Sequence, residues 1–300
     1  MNVGLIGAGA VGAIIAHKLQ KISNLFLIVD ESRKASYETN GIFINGEKIV
    51  FNCLTPSSAK TCDLIILAVK NYDLPQAVEQ MKPFVKEGTI LLSLLNGVVS
   101  ETILKKEFPL AKVLYAFIKD VSAIKLGNNI KLLALRGGTI CFGAKDNVIT
   151  KEVESVETLF KAADLDYEIP LDIHKAQWWK FMLNCCFNTL SAILLTPYSK
   201  VYDNEAFMKA SLMVCEEVLK VAQAEKINLN QEDVDKVICQ LRKCSDDGKT
   251  SMLQDVEAGR QTENDYFTGT VSALGKAHNI DTPICNFLYQ LLEAASYARA

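Results

Sequence analysis

The chain has 300 residues, 49% of them hydrophobic and 22% charged, which is typical of a globular protein with one large domain or two ordinary ones. Its net charge of −3 provides no global field that would attract nucleic acid or an anionic membrane, so neither is expected as a partner. The longest apolar runs fall well short of the roughly 20 residues of a membrane span. Met1 leads almost directly into the apolar VGLIG, so no targeting segment is expected.

The 9 cysteines are scattered and odd in number, without a C-x-x-C pair, and the 3 histidines lie far apart. We therefore expect neither a disulfide framework nor a zinc site, and we predict no metal-binding residue. Scattered free thiols are typical of a reducing compartment, and the protein is expected to be cytoplasmic.

Short apolar runs alternate with helical patterns along the first half of the chain. The helical patterns lie at 11–21, 73–85 and 99–107. Many of the runs are apolar throughout, which is typical of strands buried on both faces of a parallel sheet. The order predicts an α/β fold with a doubly wound parallel sheet. The predicted strands are NVGLIG (2–7), LFLIVD (25–30), DLIILAVK (63–70), TILLSLLNG (89–97), KVLYAFI (112–118), IKLLAL (130–135) and TICFGA (139–144).

The second half of the chain has long helical patterns in place of such strands. We place the domain boundary near residue 168, just before Pro170, which gives a sheet domain at 1–168 and an all-helical domain at 169–300. The predicted helices lie at 172–195, 204–226, 230–243, 251–277 and 283–297.

A glycine-rich loop links the first predicted strand to the first predicted helix. Its G-x-G-x-x-G spacing, in a βαβ context, predicts a Rossmann-type dinucleotide site, with a glycine turn that binds no ligand as the alternative. The first glycine allows the tight turn, the second lets backbone approach a pyrophosphate, and the third lets helix and strand pack closely. The predicted cofactor-binding residues of the loop are Gly7, Ala8, Gly9, Ala10, Val11 and Gly12.

Asp30 ends the next predicted strand. A carboxylate there typically accepts a hydrogen bond from the ribose 2′-OH of NAD and repels a 2′-phosphate. Arg33 and Lys34 follow closely and could bind that phosphate, so NADH and NADPH both stay open. The alternative is an ordinary carboxylate in a turn.

Two further strands end in polar residues, Lys70 after LIILAV and Asn96 after ILLSLL. Ligands of open parallel sheets bind beyond the carboxyl ends of the strands, so both side chains are expected to project toward the cofactor. The alternatives are turn chemistry for Asn96-Gly97 and a solvated helix-start residue for Lys70.

The segment QWWKFMLNCCFN carries Lys180, Asn184 and Asn188 on an otherwise apolar helix. Residues four apart drift only about 40° around a helix, so the three form one polar stripe. Buried polar groups need partners, which are either neighbouring helices or a ligand in a cleft between the domains. Burial lowers the pKa of a lysine, and a desolvated lysine suits general-acid catalysis.

Along essentially its whole length the chain resembles the ketopantoate reductase (2-dehydropantoate 2-reductase) family. The resemblance rests on GAGAVG, LAVKNYD, LLNGV and, most specifically, on WWKFMLNCCFNTLSA and TSMLQDVEAGRQTENDY. It implies reduction of ketopantoate to pantoate, in pantothenate and coenzyme A biosynthesis, with NADPH as hydride donor and Lys180 as general acid. The residues implied for the substrate are Asn96, Lys180, Asn184, Asn188 and Ser251, and those implied for the cofactor, besides the loop, are Lys70, Asn96, Ala123 and Glu263. Asp30 is added to the predicted cofactor residues because of its position at the end of its strand.

Three positions depart from the family pattern. Asp30 stands where the family usually has an arginine for the 2′-phosphate, which keeps NADH as an alternative to NADPH. The family helix commonly reads Asn-Pro where this chain has Asn188-Thr189, and Tyr198 stands where a substrate-contacting asparagine is usual.

Ser251 and Gln254 fit a capping box at the start of the predicted helix 251–277. On one straight helix Ser251 and Glu263 would lie about 18 Å apart, so they would touch different ends of the ligand pair. Glu263 could also be an ordinary solvated carboxylate.

Other functions remain open beside ketopantoate reduction. They are reduction of another branched 2-keto acid, a 3-hydroxy acid dehydrogenase, and a nicotinamide-binding sensor without catalysis. The helical domain could also form a dimer face, so a homodimer is kept as an expectation.

Overall fold

The computed structural model describes residues 1–121, 123–132, 138–244 and 246–299 of the chain. The chain divides into two compact units, Met1–Ile173 and His174–Ala300, so the division lies at residue 173 where the sequence suggested 168. The N-terminal unit has a Rossmann-type sheet flanked by helices, and the described residues of the C-terminal unit form helices.

The N-terminal unit is built on an eight-stranded sheet, counted over its described residues, with the order β12-β11-β8-β7-β6-β1-β2-β5. Its strands and those of a second, smaller sheet are β1 (Asn2–Ile6), β2 (Asn24–Ile28), β3 (Ile42–Ile44), β4 (Glu47–Ile49), β5 (Cys53–Leu54), β6 (Leu64–Leu67), β7 (Ile90–Ser93), β8 (Lys112–Lys119), β9 (Ala123–Leu126), β10 (Asn129–Leu132), β11 (Thr139–Gly143) and β12 (Tyr167–Glu168). From β5 to β8 the order is the 3-2-1-4-5-6 of dinucleotide-binding folds, with every neighbouring pair parallel.

The carboxyl ends of the central strands lie level with one another. Ile6 at the end of β1 pairs with Ile28 of β2 on one side and with Leu67 of β6 on the other. The chain order reverses at β1, and such a reversal is where an open α/β sheet binds its ligands. The residues that directly follow these strands therefore surround one candidate site.

Both faces of this sheet are covered, which explains the uninterrupted apolar runs in the sequence. Along β2, Leu25 and Leu27 pack into the same core as α1, whereas Phe26 and Ile28 pack into the core on the α3 side. Alternate side chains of a strand point to opposite faces, so a strand between two layers of helices must be apolar at every position. The helices of this unit are α1 (Ala10–Leu19), α2 (Glu31–Asn40), α3 (Leu74–Met81), α4 (Ser100–Glu107) and α5 (Lys151–Ala162).

Several elements differ from the sequence-based expectation. Helices α2 and α5 were not predicted, and neither was the small sheet β4-β3-β10-β9. Strand β11 runs antiparallel to β8, so the main sheet is parallel over most of its width but not throughout. The predicted strand 130–135 is present as β10, and residues 133–135 lie outside the described part of the chain.

The C-terminal unit contains helices close to those predicted, but two of the long patterns are interrupted. The pattern 172–195 changes to a π-turn at Asn184–Asn188, and the pattern 251–277 is broken between α10 and α11. The helices are α6 (Ile173–Leu183), α7 (Thr189–Leu194), α8 (Glu205–Ala224), α9 (Gln231–Lys243), α10 (Ser251–Glu257), α11 (Thr268–Ala277) and α12 (Pro283–Arg299).

A buried carboxylate on the central helix α8 caps a neighbouring helix. Glu217, 5% exposed, accepts hydrogen bonds from Ile284 N at 2.9 Å and Cys285 N at 2.8 Å, in the first turn of α12. The first backbone N–H groups of a helix have no partner within it, and a negative charge favours the positive end of its dipole. Glu217 therefore holds α12 against α8.

No described helix is both long and apolar enough to span a membrane.

Candidate functional site

The glycine loop between β1 and α1 has the geometry of a nucleotide-binding turn. Gly7 has φ +100°, and a Cβ there would lie 2.5 Å from the carbonyl carbon of Ala68. A Cβ on Gly12 would lie 2.0 Å from Gly7 O, so only glycine permits this approach of helix and turn. Ala8 is buried, and Ala10 and Val11 pack half-buried against the core.

Gly9 faces open space, unlike the other two glycines. A Cβ there would meet only Ala68 O, at 3.9 Å. Gly9 is also the N-cap of α1. It has no side chain, so it does not cover the positive end of the helix. The loop therefore fits a pyrophosphate group, because a side chain at residue 9 would occupy the space that such a group needs.

Asp30 lies just beyond β2 and is the N-cap of α2. Its Oδ1 accepts from Arg33 N at 2.7 Å, and its Oδ2 lies 3.6 Å from Arg33 Nε. Beside it, Ser57 Oγ donates to Glu31 Oε1 at 3.1 Å. Hydrogen bonds from Thr55 and Ser57 hold the pKa of Glu31 below its ordinary value. Two fixed carboxylates thus lie where a nucleotide ribose would approach the end of β2.

Lys70 and Asn96 follow neighbouring parallel strands, and a residue that the sequence analysis missed joins their segments. Asn71, fully buried, donates from Nδ2 to Asn96 O at 2.9 Å. Lys70 precedes the 3₁₀ turn Asn71–Asp73, and both Lys70 and Asn96 are half-buried. The two predicted strand-end residues are therefore held on adjacent, cross-linked turns.

The polar stripe lies where α6 passes into the π-turn. Asn184 and Asn188 are 7% and 8% exposed, and Lys180 is half-buried. In an α-helix, a step of four residues goes slightly beyond one full turn. A π-turn has more residues per turn, so a step of four residues within it stops short of a full turn. The π-turn thus carries Asn188 back toward the line of Lys180 and Asn184. Such turns are frequent at functional sites.

The amino-terminal part of α6 is anchored to α9. Lys175 Nζ lies 2.8 Å from Oδ2 of the buried Asp233, and Trp179 Nε1 donates to Asp233 O at 3.0 Å. Burial alone would raise the pKa of Asp233. The hydrogen bonds from Lys175 and Asn230 outweigh burial and lower that pKa below its ordinary value of 3.8. These bonds fix the helix that carries Lys180.

Asn188 and Ser251, predicted from distant segments, are brought together. Asn188 Nδ2 donates to Ser251 Oγ at 3.4 Å. The alternative interpretation of Ser251 and Gln254 as a capping box is wrong: Thr250 is the N-cap of α10, and the Gln254 amide donates to Lys249 O. The threonine hydroxyl accepts from Leu253 N, which leaves the exposed Ser251 side chain outside the cap.

Glu263 does not lie on the same helix as Ser251. Helix α10 ends at Glu257, and a loop leads to the 3₁₀ turn Asn264–Tyr266, so the separation estimated for one straight helix does not apply. Glu263 is 3% exposed, which contradicts the alternative of a solvated carboxylate.

The last predicted cofactor residue, Ala123, begins strand β9, and its side chain lies outside what the structure describes.

Within the described residues no group of three or more His, Cys, Asp or Glu could hold a metal ion. All 9 cysteines lie in the described part and are free thiols.

Family models match both units. The model described as "Ketopantoate reductase PanE/ApbA" matches residues 3–147, and "Ketopantoate reductase PanE/ApbA C terminal" matches residues 172–296. The chain belongs to the ketopantoate reductase family. The predicted membership is confirmed, and the family is one of oxidoreductases.

Relatives of this family member are similar over their full lengths. The 2-dehydropantoate 2-reductase of Lactococcus lactis subsp. lactis (strain IL1403) is 28% identical, and the match covers 98% of this chain and 97% of that one. A PanE/ApbA family ketopantoate reductase from Ralstonia eutropha JMP134 has a TM-score of 0.87 and 26% identity, covering 100% and 99% of the two chains. D-mandelate dehydrogenase with NADH and anilino(oxo)acetate has a TM-score of 0.86 and 26% identity, with the same coverage. The fold class expected from the sequence is thereby confirmed.

Sequence reasoning missed three polar residues that this family member buries beside predicted ones: Asn71, Ser191 and Thr250. Asn71 directly follows Lys70, and Thr250 directly precedes Ser251, so proximity along the chain was a usable signal. Ser191 lies one helical turn beyond Asn188, where a serine in an apolar helix reads as an ordinary small residue.

Proposed function

We propose that this family member reduces ketopantoate to pantoate by hydride transfer from a nicotinamide cofactor, a step of pantothenate and coenzyme A biosynthesis. The observation that carries the proposal is the pair of buried amides, Asn184 and Asn188, in line with half-buried Lys180. Buried amides on an otherwise apolar helix suit recognition of the hydroxyl and carboxylate groups of a small acid.

The bound nicotinamide would supply a hydride to the carbonyl carbon of the 2-keto acid. Lys180 would donate a proton to the carbonyl oxygen, which turns the ketone into a secondary alcohol. Asn184, Asn188 and Ser251 would bind the hydroxyl and carboxylate end of the substrate.

The N-terminal unit would hold the cofactor. Backbone N–H groups of the loop from Gly7 to Gly12 would bind the pyrophosphate at the start of α1. Lys70, Asn96 and Ala123 would line the nicotinamide side, with Asn96 also near the substrate, and Glu263 of the C-terminal unit would contact the cofactor.

For the cofactor, the family resemblance favours NADPH, but the charges beyond β2 support NADH. Asp30 and Glu31 are held in place by Arg33 N and Ser57 Oγ, and the Arg33 side chain is paired with Asp30. A 2′-phosphate would approach two fixed negative charges, whereas a ribose hydroxyl could donate to Asp30. We propose that NADH is preferred.

A second candidate substrate is a different 2-keto acid. The similarity to D-mandelate dehydrogenase favours it, because mandelate and pantoate are both 2-hydroxy acids. A dehydrogenase of 3-hydroxy acids, a sensor without catalysis, a cytoplasmic location and a homodimer remain predictions from the sequence.

The deciding experiment is a steady-state assay of the purified protein with ketopantoate, phenylglyoxylate and a 3-keto acid, each with NADH and NADPH. We expect the highest kcat/KM with ketopantoate and NADH. Turnover of phenylglyoxylate alone would select the second candidate, and turnover of the 3-keto acid alone would select a 3-hydroxy acid dehydrogenase. Cofactor binding without any turnover would favour the sensor and overturn the proposal.

A further inference from the structure

Two buried hydroxyls connect the π-turn to the start of α10. Ser191 Oγ lies 3.2 Å from Asn188 O and 2.8 Å from Thr250 Oγ1, which in turn lies 3.1 Å from Leu253 N. Ser191 is 0% and Thr250 3% exposed, so both hydroxyls depend on protein partners.

The direction of this chain of hydrogen bonds follows from its two ends. Asn188 O can only accept a hydrogen bond, so the Ser191 hydroxyl donates its single hydrogen to Asn188 O. Leu253 N can only donate, so Thr250 Oγ1 accepts from it. The Thr250 hydroxyl must therefore donate to Ser191 Oγ, and each hydroxyl donates once and accepts once.

Asn188 is attached to the same turn of α10 a second time, through its side chain. Its Nδ2 donates to Ser251 Oγ at 3.4 Å, and Ser251 directly follows Thr250. The four residues form a closed ring, which holds both the backbone and the amide of Asn188. Ser251 Oγ accepts from Asn188, and a serine hydroxyl that accepts one hydrogen bond can still donate its own hydrogen to a substrate group.

We propose that Ser191 and Thr250 are positioning residues that fix the Asn188–Ser251 pair in the geometry required by the 2-keto acid. Neither touches the substrate; both act through the pair. The inference rests on the proposed function, since it assigns Asn188 and Ser251 to the substrate.

The test compares single variants in the steady-state assay, with cofactor dissociation constants measured separately by nicotinamide fluorescence. Ser191→Ala removes the bridging hydroxyl but leaves Thr250 to cap α10. We expect a KM for the 2-keto acid about three- to tenfold higher, the range of one net hydrogen bond, with kcat and the cofactor constant within about twofold of the wild type. Thr250→Val should raise KM similarly, and Thr250→Ser should restore it, because serine keeps the hydroxyl.

The matched control is Thr150→Val, since Thr150 caps α5 through Val153 N in the other unit. This variant also loses a cap, so it should lower stability and leave KM unchanged. If Ser191→Ala folds poorly, Thr250→Val provides the same test from the other end. An unchanged KM in both hydroxyl variants of an active enzyme, or an equal rise in Thr150→Val, overturns the inference alone. An inactive wild type overturns the proposed function instead.

Discussion

The acid of the proposed reaction is a single residue, Lys180, and removing it separates chemistry from binding. We predict that Lys180→Ala lowers kcat by about 10²–10⁴-fold, the usual contribution of a positioned proton donor. The cofactor dissociation constant, measured by fluorescence titration, should stay close to that of the wild type.

Lys175→Ala is the matched control for this prediction, because Lys175 lies earlier on the same helix and pairs with Asp233. It should lower stability and keep kcat. A kcat of Lys180→Ala near that of the wild type would remove Lys180 from the general-acid role.

Asp30 combines a capping role with a charge, and Asp30→Asn separates the two. Asparagine caps helices as well as aspartate does, so Arg33 N keeps an acceptor while the charge is lost. We predict that the ratio of the NADPH to the NADH dissociation constant falls about tenfold. Direct titration of both cofactors measures this ratio without any substrate.

Glu38→Gln removes an exposed charge from the far end of α2 and should leave the ratio unchanged. If Asp30→Asn also leaves it unchanged, Asp30 does not sense the 2′ position of the ribose.

Among the elements, α6 is attached to α9 by the Lys175–Asp233 ion pair and by the hydrogen bond from Trp179 Nε1 to Asp233 O. The folded-state pKa of Asp233 is lowered, so its contribution to stability is present above its ordinary value of 3.8 and is lost as the pH falls through the folded-state pKa. We predict that Asp233→Asn lowers the free energy of unfolding at pH 7 by about 2–4 kcal/mol, because Lys175 loses its charged partner. The difference from the wild type should shrink below pH 3.8.

Urea unfolding between pH 7 and pH 3 measures this difference. Asp235→Asn, at an exposed position of the same helix, serves as the control and should change stability by less than about 0.5 kcal/mol. A difference for Asp233→Asn that is constant over the whole pH range would contradict the role of its charge.

The sequence pattern did not predict the π-turn. Lys180, Asn184 and Asn188 are spaced as an α-helix would require, so the pattern predicted one continuous helix. The structure places the wider turn at Asn184–Asn188, directly before Thr189. The wider turn makes the stripe straighter, because it reverses the drift of these residues around the helix axis.

At the scale of the whole molecule, helix α12 carries a candidate interface for the predicted homodimer. Phe287 is 62% and Leu291 38% exposed, and the two lie one helical turn apart. We predict that the wild type sediments as a dimer at micromolar concentration and that Phe287→Glu shifts it to monomer. Asn286→Glu, which adds the same charge at the neighbouring exposed position, should have a smaller effect. A monomeric wild type would contradict the prediction.

The apolar strands, the glycine loop and the change to helices in the second half could be predicted because each reflects a local rule. Gly7, Gly9 and Gly12 signal a turn that other residues would obstruct. Strands such as Leu64–Leu67 are apolar throughout because both faces are covered. Helix α2 was missed because none of its residues is buried, so it has no apolar period to detect. The small sheet was missed because its strands are short and pair across distant segments.

The sequence by itself determined the family, the fold class and the residue types of the candidate site, since these depend on patterns within short segments. Only the tertiary structure decided which distant groups meet: Asn71 with Asn96, Asn188 with Ser251, Ser191 with Thr250, and Lys175 with Asp233. It also decided that Thr250, and not Ser251, caps α10. The physical reason is that a hydrogen bond between residues far apart in the chain leaves no periodic trace in either segment.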